Sequence, residues 1–132
     1  MRVFILVAAA PFAASEASAG DWPSDLPECP AASERFYAYP EPAVRAGSEG
    51  DVSLKCVLGE GRRFQSCLVE SETPQGLNFA TAALRAMKCK GQASGRPGSE
   101  KRFTVHFRLP GSRDPRPADG ITITLQGRWV RD

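Results

Sequence analysis

The stretch DVSLKCVLGEGRRFQSCLVE, residues 51–70, constrains the fold more than any other part of the chain. Val52, Leu54, Cys56 and Leu58 share one face by strict alternation, with Ser53 and Lys55 on the other, the pattern of a strand that buries one side. Setting Cys56 opposite Cys67 also places Leu54 against Val69 and Leu58 against Gln65. Gly61-Arg62 then remains as a two-residue turn with glycine first, as a type II′ hairpin requires. One register thus joins apolar partners, aligns the sulfurs and puts glycine where positive φ is needed. Directly opposed Cα atoms lie about 4.5 to 5.5 Å apart, within reach of a disulfide. The spacing predicts a hairpin stapled by Cys56–Cys67.

The N-terminus decides how the other cysteines are read. Arg2, an apolar run over residues 3–14 and then Ala17-Ser18-Ala19 have the charged start, short apolar centre and small-residue exit of a secretory signal. Residues 1–19 are therefore expected to be a cleaved signal peptide. The apolar run is shorter than the roughly 20 residues of a spanning helix, so no stable membrane insertion is expected after cleavage. The 113 residues that follow suit one domain with a modest core. Four cysteines in an exported chain favour disulfides over free thiols. Three pairings are possible, and the hairpin selects Cys56–Cys67, leaving Cys29 for Cys89.

A net charge of +2 is too small to argue for nucleic acid. Lys88, Lys90, Arg96, Lys101, Arg102, Arg113, Arg116, Arg128 and Arg131 favour the C-terminal half, but interspersed acidic residues make this a solvated face. A redox site favours Cys-x-x-Cys, which is absent, and one histidine with dispersed cysteines does not make a zinc set. His106, in the strand-like stretch RFTVHFRL, reads as an ordinary half-buried or surface imidazole. No Ser-His-Asp arrangement, phosphate-cradling loop or carboxylate pair at a telling spacing stands out. The expectation is a binding protein without catalytic residues, metal or cofactor.

Residues 20–38 are poorly periodic, with Cys29 to order them. Pro42 and Gly47 bracket one helical turn in AVRAG. Asn78 is expected to cap a helix over residues 79–88, whose Phe79, Ala83, Leu84 and Met87 form a buried stripe. KRFTVHFRL reads as a third strand with Phe103, Val105 and Phe107 on one side. ITITLQGRWV reads as a fourth, with Ile121, Ile123 and Leu125 together and a bulge at Gly127. This order predicts a small α+β domain, an antiparallel sheet of three to four strands with one main helix packed on one face.

Tyr39-Pro40, Ala43, Gly47, Gly50 and Val52, followed by LVESETPQG and Ala82-Ala83-Leu84-Arg85-Ala86, resemble the C-terminal domain of TonB-like periplasmic proteins over residues 36–109. The aromatic-rich segment that usually follows the helix is replaced by KCKGQ, where Cys89 substitutes covalent fixation for lost packing. FRLPGSRDPRPADGITITL offers a second placement of that segment and the family's last strand. The resemblance implies an N-terminal segment 20–38, a TonB-like domain 39–109 and a C-terminal extension 110–132 with an extra strand. It also implies a periplasmic location and recognition, by strand addition, of an extended segment of an outer-membrane receptor or other envelope protein. The receiving edge would carry Thr104, Val105, His106, Phe107 and Arg108, with Tyr39 and Pro40 close by. The segment between the cleavage site and Tyr39 spans at most about 70 Å when extended, so force transmission across the envelope is not expected. The alternative is that residues 121–130 pair with residues 102–109, fill the edge internally, and leave a scaffold, decoy or homodimer.

Overall fold

The computed structural model describes residues 22–31, 36 and 38–125. The expected signal peptide and Gly127 lie outside them. Pro40 opens the first helix, α1 (Glu41–Ala46), and Gly47, at φ 63°, closes it. Its N–H donates to the Val44 carbonyl at 3.1 Å, and Ser48 N–H donates to the Ala43 carbonyl at 2.9 Å, which satisfies carbonyls the short helix cannot.

Strand β1 (Gly50–Leu58) buries every second residue and lies at the centre of the sheet. It pairs antiparallel with β2 (Phe64–Thr73) on one side and with β3 (Glu100–Arg108) on the other. The hairpin register is as expected for Leu54–Val69 and Cys56–Cys67, but an irregularity after Val57 sets Leu58 opposite Phe64 instead of Gln65. The turn also differs. Gly61 and Arg62 both have φ near 66°, and Arg63 N–H donates to the Glu60 carbonyl at 3.2 Å. Two central residues at positive φ make a type I′ geometry, which matches strand twist as well as type II′ does. Both disulfides are formed, Cys56–Cys67 across 3.9 Å between Cα atoms and Cys29–Cys89 across 5.6 Å.

Helix α2 (Phe79–Lys90) buries the expected stripe of Phe79, Ala83, Leu84 and Met87, with Ala86 added. Asn78 does not cap it. Its backbone is left-handed, at φ 67°, whereas a capping side chain works from an extended backbone. The Glu72 carboxylate on β2 instead accepts the Ala80 N–H at 3.0 Å. At the other end Arg63 donates to the carbonyls of Lys88 and Cys89 at 2.8 and 3.1 Å, placing a cation where the helix dipole is negative.

The sheet order is β2-β1-β3-β4. Strand β4 (Ile121–Thr124) runs parallel to β3, so the sheet is mixed and the all-antiparallel expectation is corrected. The reason lies in residues 109–120. A tight turn there would have reversed the chain, but this segment carries it back along the sheet first, the length a parallel connection needs. The fold is thus a small α+β unit with helices packed on a four-stranded mixed sheet. Its core centres on Tyr39, Phe79 and Phe107, all at most 1% exposed, with ring centroids 4.9 to 6.0 Å apart.

Candidate functional site

The edge of β3 divides into two halves. Val105, His106, Phe107 and Arg108 pair with Ile121, Thr122, Ile123 and Thr124. Among the described residues, the half from Glu100 to Thr104 has no strand on that side. A groove of about 370 Å³ borders the open half, lined by Arg102, Phe103, Thr104, Asp119 and Gly120.

Polar contacts hold the returning segment where it closes on β3. The Glu49 carboxylate accepts the Leu109 N–H at 2.8 Å and the Ser112 hydroxyl at 3.1 Å. Arg108 reaches Asp51 at 3.0 Å and donates to the Asp114 carbonyl at 3.1 Å. His106 lies between β1 and the loop, with Nδ1 2.6 Å from Asp51 and Nε2 3.1 Å from the Asp119 carbonyl oxygen. Each ring nitrogen thus faces one oxygen, one on β1 and one on the returning loop. Gly120 lies flat against β3, and a Cβ there would land on the Thr104 carbonyl.

An Asp-His pair with this spacing orients a general base in many hydrolases. Here Nε2, where a nucleophile would stand, faces a backbone carbonyl, and the imidazole is buried. The arrangement can fasten a strand. A wider cleft of about 620 Å³ opens beyond Arg108 and is rimmed by Glu49, Asp51, Arg113 and Asp114. Among the described residues, no group of three or more His, Cys, Asp or Glu is placed to hold a metal ion.

Of the residues expected at the receiving edge, Val105, His106, Phe107 and Arg108 have that edge taken by β4, and Thr104 alone lies in the half with no described strand beside it. Val105 and Phe107 point into the core and are fully buried. Pro40 is buried at the start of α1. Tyr39 packs edge-on against Phe79 and Phe107 and donates its hydroxyl to the Ser48 carbonyl at 2.6 Å. These side chains shape the edge from behind, while the Thr104 hydroxyl lies on the opposite sheet face, 3.4 Å from that of Ser53. Glu49, Asp119 and Gly120 were not singled out in the sequence, although Asp119-Gly120 before an alternating run is a turn signal.

Burial, with Glu49 as a lesser contributor, pushes the Tyr39 phenol well above the usual tyrosine range. Its neutral form is thus favoured by folding. Above about pH 10 an unfolded tyrosine releases its proton while Tyr39 keeps it, so stability is present below that pH and falls above it. Urea midpoints measured from pH 8 into this range should fall more steeply for the wild type than for Tyr39→Phe.

Among the described residues, no helix is long and apolar enough to cross a membrane. Comparison with protein-family models, curated proteins and solved structures finds no match.

Proposed function

We propose that this chain is an exported, periplasmic, TonB-like recognition module that binds an extended strand of an outer-membrane receptor or other envelope protein, and that β4 is an internal occupant of the receiving edge. It acts by binding and not by catalysis. One observation carries the reading: among the described residues, a nine-residue strand, β3, has one half of its edge open and the other paired with four residues of the same chain. Unpaired strand backbone is a template for an added strand, and alternate side chains supply selectivity. Two disulfides and the N-terminal pattern support export. The ordered Tyr39-Pro40 to Ala86 motif supports the TonB-like assignment and its link to TonB-dependent transport.

The test uses the chain's own segment as ligand. Gly120→Val should push residues 119–121 off the Thr104 carbonyl while leaving the core untouched. A labelled peptide of sequence DGITITL, residues 119–125, is expected to bind this variant at least tenfold tighter than the wild type by fluorescence anisotropy. Equal, negligible binding to both proteins, with the variant folded and its disulfides intact, contradicts the reading. The second reading, a self-capped scaffold, rests on the β3–β4 pairing itself. It gains if Gly120→Val binds the peptide but neither protein recovers a saturable partner from envelope extracts.

A further inference from the structure

The pole of the molecule away from β4 gathers cations from four chain segments. The hairpin turn brings Arg62 and Arg63, the end of α2 brings Lys88 and Lys90, the loop after it brings Arg96, and the start of β3 brings Lys101. Backbone contacts fix this convergence. Arg63 bridges to Gln92, Ala93 N–H donates to the Arg62 carbonyl at 3.0 Å, and Gly98 N–H donates to the Leu58 carbonyl at 2.7 Å. Arg63 also reaches over the end of α2 to the Lys88 carbonyl at 2.8 Å. Lys101 Nζ lies 3.2 Å from where a Cβ on Gly95 would stand, so the strand start and the loop share this surface.

Compensating charge is scarce there. Glu60 is the one carboxylate within residues 58–63 and 88–99, Glu28 joins it beside the end of α2 through the Cys29–Cys89 bridge, and the neighbouring Glu100 is engaged by Lys55 at 3.8 Å. Among the described residues, none of the six cations forms an ion pair. A chain whose net charge is only +2 thus concentrates its positive charge at one end. The clefts described above are lined by none of these residues. The six cations thus lie outside those clefts, and the complement of this pole is a broad anionic surface.

We infer that this basic pole docks the protein on the surface of an anionic phospholipid membrane. Arginine and lysine near such a surface each contribute about 1 kcal/mol, within a Debye length of about 8 Å at physiological salt. Among the described residues, the large exposed apolar side chains, Leu68 and Ile121, belong to other regions, so attachment is electrostatic and reversible by salt. Docking leaves the β4-paired half of the β3 edge, Val105–Arg108, at the far end of the strand from the lipid. It does not depend on what that edge binds.

Sedimentation of the chain from Gly20 onward, without the expected signal segment, with vesicles tests the inference. Binding is expected to phosphatidylglycerol-containing vesicles at low ionic strength, with release as salt is raised and none to phosphatidylcholine alone. Arg62→Glu/Arg96→Glu changes two exposed residues of the pole and is expected to weaken binding roughly thirtyfold or more, from about 1 kcal/mol per lost cation. Arg45→Glu/Arg116→Glu alters net charge equally but at exposed positions outside the pole, and should change affinity less than threefold. Equal weakening by the two pairs would mean that net charge alone acts, and the inference falls. It falls equally if neutral vesicles bind as well, or if polyglutamate binds more tightly than the vesicles, which would assign the pole to an acidic protein.

Discussion

Replacing Cys29 and Cys89 together by alanine is expected to cost about 4 kcal/mol of unfolding free energy, against about 3 kcal/mol for removal of Cys56 and Cys67. The order follows from the chain enclosed, 60 residues against 11, because the longer crosslink removes more freedom from the unfolded ensemble. A second contribution acts in the same direction. The long bridge anchors the N-terminal segment whose Leu26 is buried in the core and whose Glu28 carbonyl accepts from Arg85 at 2.9 and 3.2 Å. The short bridge joins strands that the β1–β2 ladder already holds in register. With about 5 to 15 kcal/mol available to a small domain, loss of the long bridge removes much of it. Urea unfolding of the two double variants checks the order, and a smaller loss for the Cys29/Cys89 pair would contradict it.

Phe107→Ala should be about as damaging, at roughly 3 to 5 kcal/mol. The ring is fully buried, tilted against Phe79 at 4.9 Å and edge-on to Tyr39 at 5.6 Å between centroids, and it pairs with Gly50 of β1. Glycine at position 50 cannot grow to fill the void without colliding with Phe79. Phe103, on the same face of β3 but only partly buried, provides the contrast, and its replacement by alanine should cost less than half as much. Thermal and urea unfolding measure both, and equal costs would show that the aromatic trio is not the centre of the core.

The parts of the fold that local chemistry dictates were legible in the sequence. The stapled register was legible because alternation, cysteine spacing and a turn glycine independently favoured one pairing. The helical stripe was legible from its period, and Gly47 as a stop from its position after Pro42. The type I′ turn was not, because Arg62 adopts positive φ without glycine's signature. Nor was the cap on α2, since Glu72 is a neighbour only once β2 and α2 have packed. The direction of β4 was hidden for the same reason. An alternating run such as ITIT pairs equally well either way, and what decides is the path of residues 109–120, held by Glu49, Arg108 and His106 from elsewhere in the chain. Of the candidate site, β3 was readable as a strand, and the fastening that closes half of its edge was not.

If the β3 edge receives a strand as proposed, the link of residues 109–120 between β3 and β4 sets an arithmetic of competition. A tethered segment presents itself at an effective concentration in the millimolar range, which an unattached peptide of equal intrinsic strength does not match at ordinary abundance. A newcomer gains only by outreaching the resident, which spans residues 105–108 of a strand running from Glu100 to Arg108. Length of the visiting segment then becomes the criterion of admission, with the open rungs as its foothold and the tethered rungs as its threshold.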